Sequence, residues 1–238
     1  MFIVTNRSNV AFVLLTFLFT IMTFGVINNS SVETAGMPSA NKVVVIDAGH
    51  GYPDGGAVGI TGSIEKDINL AISKKVQSLL EESGCIVVMT RADDNAVADN
   101  LDEKIRNIKR ADLKNRRDMR DNSSADAFIS IHMNKFPDSS LTGAQVFYAD
   151  KTDESRRLGE CIQSEIVSIA DPKNSRISKK ADKSIFILKD ADVPSVIVEC
   201  GFLSNANEEA LLNDNTYQEK IAWGIYSGLQ KYFGESTS

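Results

Sequence analysis

The chain has 238 residues, 42% of them hydrophobic, and carries a formal net charge of -6 at pH 7. This length and composition predict a short N-terminal segment followed by one domain with a single sizeable core. The acidic balance excludes a partner held through a basic face, and nucleic acid in particular, because such binding requires clustered lysine and arginine.

An uncharged apolar segment covers residues 10–27 and follows Arg7. A basic residue before an apolar run is typical of a secretory signal peptide, and this run is also long enough to span a bilayer. We therefore expect residues 1–35 to be a signal peptide or a membrane anchor with a spacer. In either case we expect the protein to be exported and to contact the membrane only through this N-terminal segment. The domain is predicted to cover residues 42–234.

Strand-like and helix-like segments alternate along the rest of the chain. A β-branched run over residues 42–47 ends at glycines, as in a strand buried on both faces. Helical spacing over residues 67–82 stops at Gly84, before a strand over residues 86–90. Further strands are predicted over 127–131, 143–148 and 195–199, and further helices over 112–121, 153–170 and 217–233. This alternation predicts an α/β sheet covered on both faces, with ligands at the carboxyl ends of its strands.

The basic run over residues 104–120 is interleaved with acidic residues. Mixed charge of this kind predicts a solvated helix face rather than an anion-binding surface. Cys85, Cys161 and Cys200 lack the paired short spacing of a cysteine zinc site, so we expect them to fill the core. One disulfide with a leftover thiol remains an alternative.

The chain has two histidines, His50 and His132, and each directly follows a predicted strand. Both would lie at the same rim of the sheet. Glu199 ends a third strand, where a carboxylate after a buried apolar run needs a charge partner. Glu65, in the glycine-rich loop after the first strand, could reach this rim or could serve only as a helix N-terminal carboxylate favoured by the dipole.

Two imidazoles and one carboxylate, with the fourth position open, form a catalytic zinc shell. We therefore predict that His50, Glu65 and His132 bind one zinc ion. Zinc would lower the pKa of a water to about 7, and Glu199 would carry its proton to a leaving nitrogen. These groups favour amide hydrolysis. A phosphate cradle over residues 49–54 is not favoured, because Asp54 stands where a third glycine is needed and no Gly-Lys-Ser/Thr follows.

Several segments resemble, in the same order, motifs of the zinc-dependent N-acetylmuramoyl-L-alanine amidases (the Amidase_3 family). They are VVIDAGHG (44–51), SIEKDINL (63–70), TR (90–91), DLKNR (112–116), FISIH (128–132) and VECGFLSN (198–205). The resemblance implies a twisted, mostly parallel six-stranded sheet flanked by helices. It also implies cleavage of the peptidoglycan amide between N-acetylmuramic acid and L-alanine of the stem peptide, with His50, Glu65 and His132 as metal ligands and Glu199 as catalytic base.

Three further residues are candidates for substrate binding or structural support: Arg91, Arg116 and Asn134. Met133 departs from the family pattern, because many relatives carry a small residue there. The sequence also shows neither the wall-binding repeats nor the long regulatory insertion of many relatives. A leader followed by a catalytic domain is most similar to the germination-specific amidases of spore-forming bacteria, which prepare muramic acid for the spore-cortex lactam.

The residues leave two other functions open. A zinc carboxypeptidase or endopeptidase of the stem peptide would use the same groups, and a non-catalytic wall-binding protein would need the metal but not Glu199. An activating protein partner could also complete the metal shell.

Overall fold

Six strands form one sheet in the computed structural model, which describes residues 36–235. The strands are β1 (Val43–Ala48), β2 (Ile86–Met89), β3 (Ala127–Asn134), β4 (Gln145–Tyr148), β5 (Lys179–Lys180) and β6 (Ser195–Phe202). Their order is β2-β1-β3-β6-β4-β5, and every neighbouring pair is parallel except β4 with β6. The predicted α/β fold with a mostly parallel six-stranded sheet is confirmed.

Helices cover both faces of the sheet. Within the described range they are α1 (Glu65–Glu82), α2 (Ile105–Asn122), α3 (Asp153–Ile169), α4 (Ala206–Leu212) and α5 (Asn215–Glu235). The core on one face joins the sheet to α1, α3 and α5, and the other core packs the sheet on the 3-10 turn Phe186–Leu188, which α2 contacts. Val44 and Ile46 enter the first core and Val45 the second, as the β-branched run predicts for a strand buried on both faces.

The predicted leader, residues 10–27, lies outside the described residues. Within residues 36–235, no helix has the length and apolar character needed to cross a membrane. Cys85, Cys161 and Cys200 are all buried, as expected of core residues, and all are free thiols, so the alternative disulfide does not form among them.

The interpretation of residues 104–120 as a solvated face was wrong for one stripe of α2. Arg116 and Arg120 are among the most deeply buried large side chains, and Asp112 is buried beside them. Arg116 Nη1 donates to Asp47 Oδ1 at 2.6 Å, and Arg120 Nη1 donates to the carbonyl of Ile187 at 2.6 Å. A buried cation requires such partners, and these come from distant parts of the chain that local charge patterning does not reveal.

Arg116→Met is expected to lower the free energy of unfolding by about 3–5 kcal/mol, because it leaves the buried Asp47 without its cation. Burial opposes ionisation, but Arg116 and the Ser130 hydroxyl lower the pKa of Asp47 below its ordinary value. The pair therefore stabilises the fold at neutral pH and is lost only as the pH falls below about 4. Urea unfolding at pH 7 measures the loss.

The matched control is Lys114→Met, which removes an exposed cation of the same helix that pairs with Asp118. It should change the free energy of unfolding by no more than about 0.5 kcal/mol. Equal stabilities of the two variants would contradict the structural role assigned to Arg116.

Two strands are longer than their sequence patterns indicate. His132 lies within β3 and Glu199 within β6, not at their ends, and the two residues pair in register. The ladder continues past His132 through a register shift between His132 and Asn134. His132 and Glu199 therefore lie side by side on adjacent strands.

Candidate metal centre and active site

Three side chains converge at the carboxyl ends of β1 and β3. Glu65 Oε2 lies 3.2 Å from His50 Nε2, and Glu65 Oε1 lies 2.9 Å from His132 Nδ1. One ligand atom from each residue can be chosen so that all lie within 4.8 Å of one another. Among the described residues, this is the one group of histidine, cysteine and acidic side chains arranged to hold a metal ion.

Two glycines allow the loop after β1 to pack directly against these side chains. A Cβ on Gly49 would lie 2.3 Å from His132 Nε2, and one on Gly56 would lie 2.5 Å from Glu65 Oε2. Gly49 therefore covers the Nε2 edge of His132, and Nδ1 is the nitrogen that faces Glu65. His50 itself has a left-handed backbone, with φ of 61°, at the sharp turn after β1.

The Glu65 carboxylate is held from several sides. Its Oε2 accepts from Ala57 N at 2.7 Å, and its Oε1 accepts from Met133 N at 3.1 Å and from Asn69 Nδ2 at 3.4 Å. Burial opposes its ionisation, but the two histidines lower the pKa of Glu65 far below its ordinary value. Glu65 is the first residue of α1 rather than part of the loop. It is therefore a helix N-terminal carboxylate and also reaches the rim that carries the histidines.

Asp54 is a site residue that the sequence reasoning missed. Its Oδ2 lies 2.9 Å from His50 Nδ1, and its Oδ1 lies 2.8 Å from Lys109 Nζ on α2. This contact leaves His50 Nε2 directed at Glu65. Burial acts to lower the pKa of His50, but Asp54 and Glu65 raise it to about 9. The only signal in the sequence was an acidic residue four positions after the histidine.

Glu199 borders the three converging side chains from β6. It is half-buried, and its Oε2 is buried without a hydrogen-bond partner in the described structure. Burial raises the pKa of Glu199 to about 7, although the neighbouring His132 lowers it. A buried carboxylate oxygen without a partner is costly. The donor set and this unsatisfied oxygen therefore fit a bound cation with a water beside it.

Arg91 and Arg116 lie beneath the loop that carries His50. Arg91 Nε donates to the carbonyl of Ala48 at 2.8 Å and its Nη2 to the carbonyl of Lys66 at 2.7 Å. Arg116 donates to the carbonyls of Ala48 and His50. Both guanidinium groups are buried. These contacts favour structural support over substrate binding for both residues.

Asn134 and Met133 follow His132 at the end of β3. The carbonyl of Asn134 accepts from Leu203 N at 2.8 Å and so ties β3 to the end of β6, while the Asn134 side chain is half-buried. The Met133 side chain is buried in the core next to α1. This departure from the family pattern therefore fills the core and does not narrow the site.

A cavity of about 240 Å³ adjoins the site between the two histidines and α2. Lys109, Leu113 and Ile187 also line it. His50 and His132 keep about a fifth of their side-chain surface exposed. Larger depressions of about 470 and 500 Å³ lie elsewhere on the surface and contain none of the converging residues.

Known proteins resemble this chain in both sequence and fold. The model of the N-acetylmuramoyl-L-alanine amidase family Amidase_3 matches residues 44–231. The germination-specific N-acetylmuramoyl-L-alanine amidase of Bacillus subtilis (strain 168) is 36% identical over 224 residues, which are 94% of this chain and 92% of that protein.

Two solved structures from clostridia superpose on it. The CwlD amidase of Clostridioides difficile, in complex with the GerS lipoprotein, has a TM-score of 0.79 and 46% identity over 82% of this chain and 100% of that chain. The N-acetylmuramoyl-L-alanine amidase of Clostridium difficile 630 has a TM-score of 0.71 and 32% identity, over 82% and 98% of the two chains.

Proposed function

Because the chain belongs to the N-acetylmuramoyl-L-alanine amidase family, we propose that it cleaves the peptidoglycan amide between N-acetylmuramic acid and L-alanine with one zinc ion held by His50, Glu65 and His132. The chain is an N-acetylmuramoyl-L-alanine amidase, and the resemblance read from its motifs is confirmed. A stem-peptide peptidase and a non-catalytic wall binder are correspondingly disfavoured.

The convergence of two imidazole nitrogens and one carboxylate within 4.8 Å supports the choice of zinc. Zinc accepts nitrogen and oxygen ligands, and a set of two histidines and one glutamate leaves a position open for chemistry. Zinc bound there would lower the pKa of a water to about 7 and polarise a substrate carbonyl.

The protein's own groups supply the proton transfers. Glu199 is next to His132 on the neighbouring strand, and its unpaired Oε2 is available to take a proton from the attacking water. The same carboxyl group would then deliver that proton to the leaving nitrogen of L-alanine. Asp54 holds His50 by its Nδ1 and thereby keeps Nε2 free to bind the metal.

Metal analysis of the purified protein tests the zinc centre. We expect one zinc per chain, loss of both zinc and hydrolysis on treatment with a chelator, and recovery of both on adding zinc back. Full hydrolysis by protein free of metal would contradict the proposal.

Asp54→Ala is expected to weaken zinc binding by about 10- to 100-fold, the usual cost of removing the carboxylate behind a metal-binding histidine. Competition with a chromophoric chelator measures the affinity. Asp67→Ala, which removes an exposed carboxylate on α1, is the control and should bind zinc as the unmodified protein does. Equal affinities in all three proteins would exclude this role for Asp54.

We also propose that the protein acts in maturation of the spore cortex, where muramic acid is converted to the lactam needed for germination. The support is its similarity, over nearly the whole of both chains, to the germination-specific amidase of Bacillus subtilis. Expression in a Bacillus subtilis strain lacking that amidase should restore muramic lactam to the cortex, and the Glu199→Gln protein should not. Cortex without the lactam despite stable expression of the unmodified protein would contradict this role.

Peptidoglycan lies outside the cytoplasmic membrane, which supports export by residues 1–35 acting as a signal peptide or membrane anchor. A protein partner that completes the site is a further part of the proposal. Its support is that the similar CwlD amidase has been solved in complex with the GerS lipoprotein.

A further inference from the structure

Glu209, on the short helix α4, binds the hairpin that leads into the metal-site residue Glu65. The hairpin comprises residues 57–64 and precedes Glu65 in the chain. Glu209 is 1% exposed, and its carboxylate accepts from both backbone and hydroxyl donors of the hairpin tip. The contacts are Thr61 N at 2.9 Å, Thr61 Oγ1 at 2.7 Å, Ser63 N at 3.3 Å and Ser63 Oγ at 2.6 Å.

The tip is shaped around this carboxylate. A Cβ on Gly59 would lie 2.2 Å from Glu209 Oε1, so any larger residue at this position would displace the side chain. Against the effect of burial, the Ser63 and Thr61 donors lower the pKa of Glu209 to about 2. Glu209 is therefore an ionised acceptor over the whole working pH range.

The base of the same hairpin holds Glu65. Ala57 N donates to Glu65 Oε2 at 2.7 Å, and Glu65 N donates to the carbonyl of Ala57 at 2.9 Å. Val58 and Ile64 form the antiparallel bridge between this base and the tip. The carboxylate of Glu209 is thus connected to that of Glu65 through one continuous, hydrogen-bonded unit of eight residues, 57–64.

Apart from Glu209, few groups in the described structure hold the hairpin. Ala57 packs against the core, Lys135 Nζ donates to the carbonyl of Val58 at 2.8 Å, and Asn213 Nδ2 donates to Ser63 Oγ at 2.8 Å. Val58, Ile60 and Ile64 are 49%, 60% and 37% exposed, so its apolar side chains contribute little burial. A short isolated hairpin is at best marginally stable in water. The hydrogen bonds that Thr61 and Ser63 donate to Glu209 outnumber the other side-chain hydrogen bonds of the hairpin, so they contribute most to fixing its conformation.

We infer that Glu209 is a positioning residue for the metal ligand Glu65 and acts through the hairpin of residues 57–64. The inference rests on the proposed metal centre. Without the ionised anchor, the tip is released and the Ala57 amide no longer fixes Glu65 Oε2. The carboxylate then keeps only its Oε1 contacts with Met133 N and Asn69 Nδ2, so the metal shell is less preorganised. Loss of Glu209 therefore lowers the affinity for zinc and leaves substrate contacts unaffected.

The test compares zinc affinity in the full-length protein and two variants of adjacent glutamates. Glu209→Gln keeps the side-chain shape but places an amide group against the hydroxyl and N–H donors, and it should weaken zinc binding by about 10- to 100-fold. Glu208→Gln is the matched control. Glu208 is also buried on α4, but its carboxylate accepts from Gly143 N and Phe202 N and does not contact the hairpin.

Thermal unfolding of both metal-free variants reports the loss of stability, and chelator competition reports the loss of zinc affinity. We expect both variants to unfold at lower temperature and only Glu209→Gln to lose zinc affinity, with kcat at saturating zinc recovering to within about threefold of the unmodified enzyme. Gly59→Ala, which perturbs the same contact from the hairpin side, should reproduce the loss of affinity even if Glu209→Gln folds poorly.

Two results would overturn the inference: unchanged zinc affinity in both Glu209→Gln and Gly59→Ala, or an equal loss in Glu208→Gln. Failure of the unmodified protein to bind zinc at all would instead refute the proposed metal centre, so the two failures are distinguishable.

Discussion

Glu199→Gln should lower kcat by about 100- to 10,000-fold, the range that a positioned general base and acid contributes, while zinc binding stays within about threefold of that of the unmodified enzyme. The amide is nearly isosteric with the carboxylate but cannot take a proton from water. Glu199 contributes no ligand atom to the converging group of His50, Glu65 and His132. Hydrolysis of purified peptidoglycan and chelator competition, measured on the same preparation, give the two quantities.

The pH profile supplies an independent check on the same residue. Burial raises the pKa of Glu199 to about 7 in the metal-free site, and the positive charge of bound zinc would lower it. Because the base must be ionised, kcat/KM should fall as the pH drops through an acid limb at or below about pH 7. The residual activity of Glu199→Gln should lack that limb. A variant with normal turnover, or with the same limb, would remove Glu199 from the mechanism.

His50→Ala is expected to abolish both zinc binding and hydrolysis. Loss of an outer carboxylate behind a histidine ligand costs about 10- to 100-fold in metal affinity, and loss of the ligand itself should exceed this range. Metal content after dialysis and turnover at saturating zinc measure the two effects. Glu199→Gln serves as the matched control, because it should lose turnover but keep the metal.

The backbone at His50 requires a second variant. Its φ of 61° is left-handed, which alanine adopts less readily than asparagine. His50→Asn therefore separates backbone strain from loss of the imidazole. If zinc content and activity were retained in either variant, His50 could not be a ligand.

The parts of the fold that the sequence predicts are those determined by local pattern. The β-branched run around Val45 reads as a strand buried on both faces because its neighbours in the chain are apolar without interruption. His50 and His132 are predicted as site residues because each directly follows such a run. Parallel strands place both histidines at one rim, so their proximity follows from the α/β alternation alone.

The parts that the sequence does not predict depend on contacts between distant residues. Arg116 is buried because Asp47, far from it in the chain, accepts its hydrogen bond, and the local mixture of charges around it resembles an exposed helix. Glu209 contacts Thr61 across 148 positions, and nothing near either residue indicates the pairing. Asp54 faces His50 only because the loop after β1 turns back on itself.

Strand ends were misplaced for a related reason. The polar residues His132 and Glu199 each interrupt an apolar run, which predicts the end of a strand. The backbone pairing between β3 and β6 nevertheless continues past both residues. Backbone hydrogen bonds between strands do not depend on side-chain polarity. A register shift after His132 lets the pairing continue to Asn134 and Phe202. His132 and Glu199 therefore lie on strands, whereas His50 lies in the loop after β1 and Glu65 begins α1.

Mass spectrometry of purified peptidoglycan after incubation with the protein and zinc tests the central claim most directly. A zinc-dependent N-acetylmuramoyl-L-alanine amidase should release intact stem peptides with a free L-alanine amine and leave glycan strands with free lactyl groups, and a chelator should prevent both. Shortened stem peptides still attached to muramic acid, or release of stem peptides that persists in the chelator, would contradict it.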